Sequence, residues 1–250
     1  MIAFETLVYL DVYKTGSSHV IALLRKVMDE RQVAFTRHRD LHFRPRGKFV
    51  VATVRNPFDW YVSLWSSGTQ GRSLILDYIR KGLGAAEAAS LYDRADHRAA
   101  FRRWMHLIHD PVRAVKFIEQ RYPQSGLAPF MGLYTYRFLR VVTYNRNIFL
   151  RRWRIADEAA IAPFLDRRKA YDRILATENL EAGLIGLIEE NPGRCRFKPG
   201  ARAVIEAAAR SPRNASERVE ADYRDYYDEE TRGLVARRDR LFLDRFGYRF

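Results

Sequence analysis

The sequence predicts an α/β protein in which a parallel sheet is flanked by helices in three layers. Three observations carry that expectation. Short apolar runs alternate along the chain with segments of helical spacing, the order that builds a sheet covered by helices. The run from Lys48 to Val54 is apolar and β-branched, as suits a central parallel strand buried on both faces. The chain has 250 residues and is 47% hydrophobic, enough for one large domain with a full core.

Taken in order, Met1 to Val12 reads as the first core strand, with Leu7 to Val12 its buried part. Tyr13 to Ser18 is a polar turn. His19 to Glu30 has Val20, Leu23, Leu24 and Val27 on one helical face. After the strand ending at Val54, Asn56-Pro57 breaks the chain. Pro57 suits the first turn of a helix that runs to about Trp65 and ends near Gly68. Leu74 to Arg121 reads as mostly helical, most clearly at His97 to Ile108 and Pro111 to Arg121. Leu133 to Asn147 fits a strand or a substrate-facing segment. Asp172 to Thr177 is expected to be a short strand, Leu180 to Glu190 a helix, and Gly193 to Pro199 a turn-rich basic loop. A last helix is expected over about Asp228 to Phe246, with Leu234, Val235, Leu241, Phe242 and Phe246 apolar. No repeat, low-complexity tract or Pro/Ser-rich linker interrupts the chain, so residues 1–250 are expected to form a single domain.

No apolar stretch reaches the ~18 residues of a membrane span. The N-terminus lacks the basic start and long apolar run of a signal peptide. The single cysteine, Cys195, excludes an intramolecular disulfide, and a cytoplasmic location is expected. Forty-four basic residues against thirty acidic give a formal net charge of +14, a field that attracts nucleic acid, anionic membranes or small multiply charged ligands. No helix-turn-helix, zinc or RNA-reading motif is present, so nucleic acid is not the expected partner.

The turn Tyr13-Lys14-Thr15-Gly16-Ser17-Ser18-His19 lies between the first strand and the first helix. Backbone N–H groups at a helix start and the helix dipole together form an anion site. Gly16 allows close approach of the backbone, Ser17 and Ser18 can donate hydroxyls, and Lys14 adds a cation. The lysine precedes the glycine, and no second motif glycine is present, so this is not a Walker A loop. A capped helix start with a surface lysine would have the same residues.

A second constellation follows the Lys48 to Val54 run. Arg55 stands at the carboxyl end of that strand, the edge where open α/β sheets bind ligands. Ser63 lies eight residues later on the next helix. The arginine fork suits a phosphate, and a serine hydroxyl can complete its cage. Asp59 reads as structural, through the helix N-terminus or an arginine partner.

Lys14-Thr15-Gly16-Ser17-Ser18 resembles the 5′-phosphosulfate loop of sulfotransferases that use 3′-phosphoadenosine 5′-phosphosulfate (PAPS). Arg55-Asn56-Pro57-x-Asp59-x-x-x-Ser63 resembles their 3′-phosphate strand and helix. The run Asn-Pro-Phe-Asp-Trp-Tyr-Val-Ser-Leu-Trp is similar to a bacterial branch near the carbohydrate sulfotransferases. So are Asn214-x-Ser216, Tyr226-Tyr227-Asp228 and Phe246-Gly247-Tyr248. Residues about 70 to 170 carry no such likeness.

The resemblance implies a P-loop-kinase-like sulfotransferase fold and transfer of a sulfuryl group from PAPS, as donor co-substrate, to an acceptor hydroxyl or amine. The acceptor class it suggests is a carbohydrate or glycoconjugate, a glycolipid included; no metal is implied. Lys14 would contact the bridging oxygen and the 5′-phosphate, and Thr15, Gly16, Ser17 and Ser18 would cradle that phosphate. Arg55 and Ser63 would hold the 3′-phosphate. Arg213, Ser216 and Arg218, in a basic late loop, would close over the nucleotide. An acceptor hydroxyl needs a general base, and histidine has a suitable pKa. His38 in Arg37-His38-Arg39-Asp40-Leu41-His42 is favoured, with His42 second. Two other readings stay open: a nucleotide-dependent kinase of the same architecture, and a basic nucleic-acid-binding protein.

Overall fold

The computed structural model describes residues 1–38, 41–116, 118, 122–144, 158–190, 193–209 and 217–250. In chain order its elements are β1 (Ile2–Ala3), β2 (Leu7–Leu10), α1 (Ser17–Val27), β3 (Ala34–Phe35), β4 (Phe49–Val54), α2 (Pro57–Thr69), α3 (Leu74–Leu83), α4 (Ala85–Leu91), α5 (His97–His109), α6 (Leu133–Val142), α7 (Ile161–Arg168), β5 (Arg173–Ala176), α8 (Leu180–Glu190), α9 (Ala201–Ala209), α10 (Glu229–Arg238) and α11 (Arg240–Phe246). The protein is therefore α/β, with a five-stranded mixed sheet of order β3-β1-β2-β4-β5. The chain divides into two compact units. The first comprises Met1–Arg55, Phe138–Arg146 and Arg167–Ala215; the second comprises Asn56–Arg137, Asn147–Asp166 and Ser216–Phe250.

The first unit holds the sheet. β2 pairs in parallel with β4, from Leu7 opposite Phe49 to Leu10 opposite Ala52. β4 pairs in parallel with β5, from Val51 opposite Arg173 to Val54 opposite Ala176. All six residues of β4 are buried, the burial that its largely apolar sequence called for. One sheet face is covered by α1, α8 and α9, whose Val20, Leu24, Val27, Leu184, Leu187 and Ile205 join Leu7, Tyr9 and Val51 in a common core. β1 runs antiparallel to both β2 and β3. The segment expected as one strand, Met1 to Val12, is thus a hairpin. Glu5 and Thr6 form its corner, which Glu30 holds through Thr6 N–H (2.8 Å to Oε2). A two-residue polar interruption is too short to read as a turn in an otherwise apolar run.

The second unit is helical in its described residues. Asn56 caps α2 by accepting from the Phe58 N–H at 3.1 Å, and Pro57 occupies the first turn, where it lacks no bond. Trp60, Trp65, Phe101 and Trp104 are fully buried; Trp65 Nε1 donates to the Leu91 carbonyl at 2.9 Å and Trp104 Nε1 to the Tyr92 hydroxyl at 2.8 Å.

Three further expectations are corrected. Pro111 to Lys116 forms a turn and one 3₁₀ turn, because Asp110 accepts from the Val112 and Arg113 N–H groups (2.8 and 3.0 Å) and diverts the chain from α geometry. Leu133–Val142 is a helix, buried nearly all round; its aromatic and β-branched residues suit a strand equally well, and local propensity did not decide between the two. The last helix is two, broken at the buried Asp239, whose side chain accepts from Thr135 N–H (3.0 Å) and Tyr61 OH (2.8 Å). Among the described residues no helix is long and apolar enough to cross a membrane.

Candidate functional site

The parallel pairing brings the carboxyl ends of β2, β4 and β5 to one edge of the first unit. The chain leaves that edge through Asp11 to Gly16, through Arg55 and through Thr177 to Asn179. These exits are tied together. Thr177 Oγ1 donates to the Val54 carbonyl at 2.7 Å. Thr15 is buried, and its hydroxyl donates to the Val12 carbonyl (3.0 Å) and meets Thr53 Oγ1 at 2.6 Å. Thr53 is bonded in turn to the Tyr9 hydroxyl at 2.7 Å. The Thr15 side chain therefore pins the turn to β4, leaving its main chain rather than its hydroxyl for a ligand.

Gly16 precedes α1 with φ of 73°, and a Cβ there would lie 3.2 Å from Leu180 Cδ2, so both conformation and space favour glycine. No side chain caps the start of α1. The first N–H groups of a helix have no acceptor within it, and the positive end of the helix dipole adds to their pull on an anion. Ser17 is buried and Ser18 exposed at this start.

Cationic groups meet the same turn. Arg55 Nη1 donates to the Lys14 carbonyl at 3.1 Å, so the strand-end arginine and the lysine turn are in direct contact. Arg37 Nη2 lies 3.2 Å from Ser17 Oγ and 3.4 Å from Ser18 Oγ. Arg140 Nη2 lies 3.3 Å from the Tyr13 hydroxyl. Among the described residues the non-glycine positions with positive φ are two, Lys14 (58°) and His38 (48°). Each left-handed residue of this kind costs about 1–3 kcal/mol, and such strain concentrates where a site needs a fixed geometry.

His38 is the more elaborately held of the two. Its ring stacks on Tyr13 with centroids 3.6 Å apart. Its main-chain N–H donates to Asp11 Oδ1 at 2.9 Å, and its Nδ1 lies 2.9 Å from the Asp11 carbonyl oxygen. A carbonyl only accepts, so Nδ1 carries the proton, and in the neutral ring Nε2 holds the lone pair. Among the described residues Nε2 has no hydrogen-bond partner. Burial lowers the His38 pKa below its ordinary 6.5, with Arg37 adding to the fall and Asp11 opposing it. The ring is neutral at pH 7, as a general base must be.

His42 is exposed beyond this cluster. His19 pairs with Glu181 (2.8 Å) and His97 with Glu220 (3.2 Å). Ser63 is buried in α2, in the second unit. Arg218, also in that unit, pairs with Asp59 at 2.6 Å; Asp59 thus has the arginine partner expected of it. Arg213 and Ser216 lie outside the described residues.

Compared with protein-family models, curated proteins and solved structures, the chain has no match. Its chemistry is therefore read from its own geometry. That geometry joins Lys14, Gly16, Ser17, Ser18, Arg55 and His38 in the first unit. It adds Asp11, Tyr13, Arg37 and Arg140, which sequence reasoning did not single out. Only Arg37 carried a signal, as the basic neighbour of His38; the others owe their place to strand pairing and to α6, whose register no local pattern gives.

Proposed function

We propose that the protein transfers a sulfuryl group from PAPS to a hydroxyl or amine of a carbohydrate or glycoconjugate, and that its α/β sheet is a sulfotransferase fold related to the P-loop kinases. The observation that carries this reading is the contact between Arg55 and the Lys14 carbonyl at 3.1 Å. PAPS has two separated phosphate ends, and a single molecule can be gripped at both only if the lysine turn and the arginine strand end share one edge. The bond is made by the main-chain carbonyl, so it joins the turn to the strand end whatever the side chain at position 14 does.

The start of α1, with Lys14 and Ser18, holds the 5′-phosphosulfate, and Arg55 holds the 3′-phosphate. His38 Nε2 takes the proton of the acceptor hydroxyl. The freed oxygen attacks sulfur in line, the S–O bond to the 5′-phosphate breaks, and its electron pair leaves on the phosphate oxygen beside Lys14. The products are the sulfated acceptor and adenosine 3′,5′-bisphosphate. Little covalent work falls to the protein, so positioning and charge stabilisation dominate. Lys14 meets charge that develops only in the transition state and acts mainly on turnover.

Mass spectrometry of a carbohydrate acceptor panel incubated with the protein tests the assignment. A sulfuryl gain that requires PAPS is the expected result. A phosphoryl gain that requires ATP, or no affinity for adenosine 3′,5′-bisphosphate, would overturn it.

A further inference from the structure

The His38 ring is set by one residue, and that residue is not part of either phosphate-binding motif. Asp11, the first residue after β2, is buried to 0% relative exposure. Its carbonyl takes the Nδ1 proton of His38 at 2.9 Å, and its carboxylate takes the His38 main-chain N–H at 2.9 Å. The same carboxylate lies 3.2 Å from Arg37 Nε and 3.5 Å from His38 Nδ1, and it contacts the Met1 amino group. We infer that Asp11 is the positioning residue of the catalytic base: it fixes the Nδ1–H tautomer, holds His38 in its left-handed backbone conformation, and leaves Nε2 as the proton acceptor. The inference rests on the sulfuryl-transfer reading for what Nε2 deprotonates, but not for how the ring is held.

The need for such a residue follows from the surroundings. Among the described residues, the charged and titratable groups facing His38 are Asp11, Arg37, the Met1 amino group and the stacked Tyr13, behind which stands Arg140. Arg37 and the amino group push the imidazole away from taking a proton. Asp11 is the one carboxylate among them and offsets both. Without it the ring would be a weaker base, and the peptide N–H that now bonds Oδ1 would lose the acceptor that holds φ at 48°. Arg37 links the two halves of the site. While Nε rests on Asp11, Nη2 reaches the Ser17 and Ser18 hydroxyls at the start of α1. A single buried carboxylate thus sets the base beside the turn that holds the donor.

The test is ¹⁵N NMR of the histidine rings in wild type, Asp11→Asn and Asp11→Ala, with kcat–pH profiles of the same proteins. In wild type the His38 ring should be protonated on Nδ1 at neutral pH and titrate below the ordinary value. Asp11→Asn keeps an oxygen acceptor but not the charge. It should keep the tautomer, move the acid limb of kcat to lower pH and leave the affinity for adenosine 3′,5′-bisphosphate less changed than kcat. Asp11→Ala keeps the main-chain carbonyl that takes the Nδ1 proton but removes the acceptor of the His38 main-chain N–H; it should keep the tautomer, loosen the placement of the ring and lower kcat about 10²-fold, the cost of a misplaced catalytic group. A His38 ring protonated on Nε2 in wild type, or an acid limb and a kcat that stay as in wild type in both variants, would overturn the inference. If neither variant folds, the wild-type ring signals decide. If wild type neither binds the bisphosphate nor turns over PAPS, the sulfuryl-transfer reading fails while the NMR result still judges the positioning.

Discussion

Two histidines, one in each unit, have their pKa lowered by burial, and they are fitted for different ends. His109, at the end of α5, is buried and pushed down to about 3. Both of its nitrogens are engaged, Nδ1 with the Met105 carbonyl at 2.9 Å and Nε2 with the Tyr61 hydroxyl at 3.1 Å. The Tyr61 hydroxyl, with one proton to share, also meets Asp239 Oδ2 at 2.8 Å, so the ring belongs to a closed internal network. Among the described residues His38 has only Nδ1 engaged, and it stays partly exposed. Burial lowers both, and what separates a core histidine from a base is the nitrogen left without a partner. Lys14 and Arg55 sharpen the contrast: cations surround His38's turn, whereas His109 stands against the Tyr61 ring, with Arg238 the cation that acts on it most.

The widest gap between the two is expected in turnover. His38→Ala should lower kcat by about 10²–10⁴-fold with the fold intact, since it removes the general base; steady-state kinetics beside a thermal melt would show it. In wild type, kcat should fall as pH drops through a value below the ordinary 6.5, because protonation of the depressed His38 removes the lone pair. Lys14→Ala should lower kcat by about 10²–10³-fold, as loss of an oxyanion donor does, with a smaller change in donor affinity. Comparing kcat with the dissociation constant of adenosine 3′,5′-bisphosphate separates the two effects.

His109→Phe should leave chemistry alone and act on stability. Leaving the Tyr61 hydroxyl and the Met105 carbonyl without this partner costs about 1–3 kcal/mol at neutral pH, measured by urea unfolding. The sign of its pH dependence follows from the depressed pKa. The unfolded chain takes up a proton on His109 near 6.5, and the folded chain does not until about 3, so this contribution is lost as pH falls from 6.5 toward 3. Below pH 6.5 the gap between wild type and His109→Phe should shrink by about 1.4 kcal/mol per pH unit, closing within about two units and then reversing in favour of the variant. Asp239, whose carboxyl burial pushes up, carries the opposite sign but is common to both proteins.

How much of this was legible in the sequence differs between the regions in the same way. β4 announced itself through a run of six that is apolar but for Thr53, and the turn after β2 through its Lys-Thr-Gly-Ser-Ser order. Local patterns of that kind survive into the fold. The hairpin corner at Glu5 and Thr6, the buried α6 and the break at Asp239 did not announce themselves, because each is decided by contacts distant in sequence. At the site, His38 was readable as a histidine next to a basic residue. Its setting by Asp11 was not: the partners are 27 residues apart and meet only through the chain's return beside β2. The Thr15 hydroxyl was misleading in the other direction, since a ligand-like residue in a ligand-like turn is bonded instead to Thr53.

The central claim is that Lys14 and Arg55 grip the two phosphate ends of one nucleotide, and calorimetric titration with adenosine 3′,5′-bisphosphate and with AMP tests it most directly. Wild type should prefer the bisphosphate, and Arg55→Ala should lose about 10–100-fold of affinity for it, the loss of one charge-assisted contact, while its affinity for AMP changes little. Equal affinity of wild type for both ligands, or an Arg55→Ala protein that binds the bisphosphate as wild type does, would contradict the account.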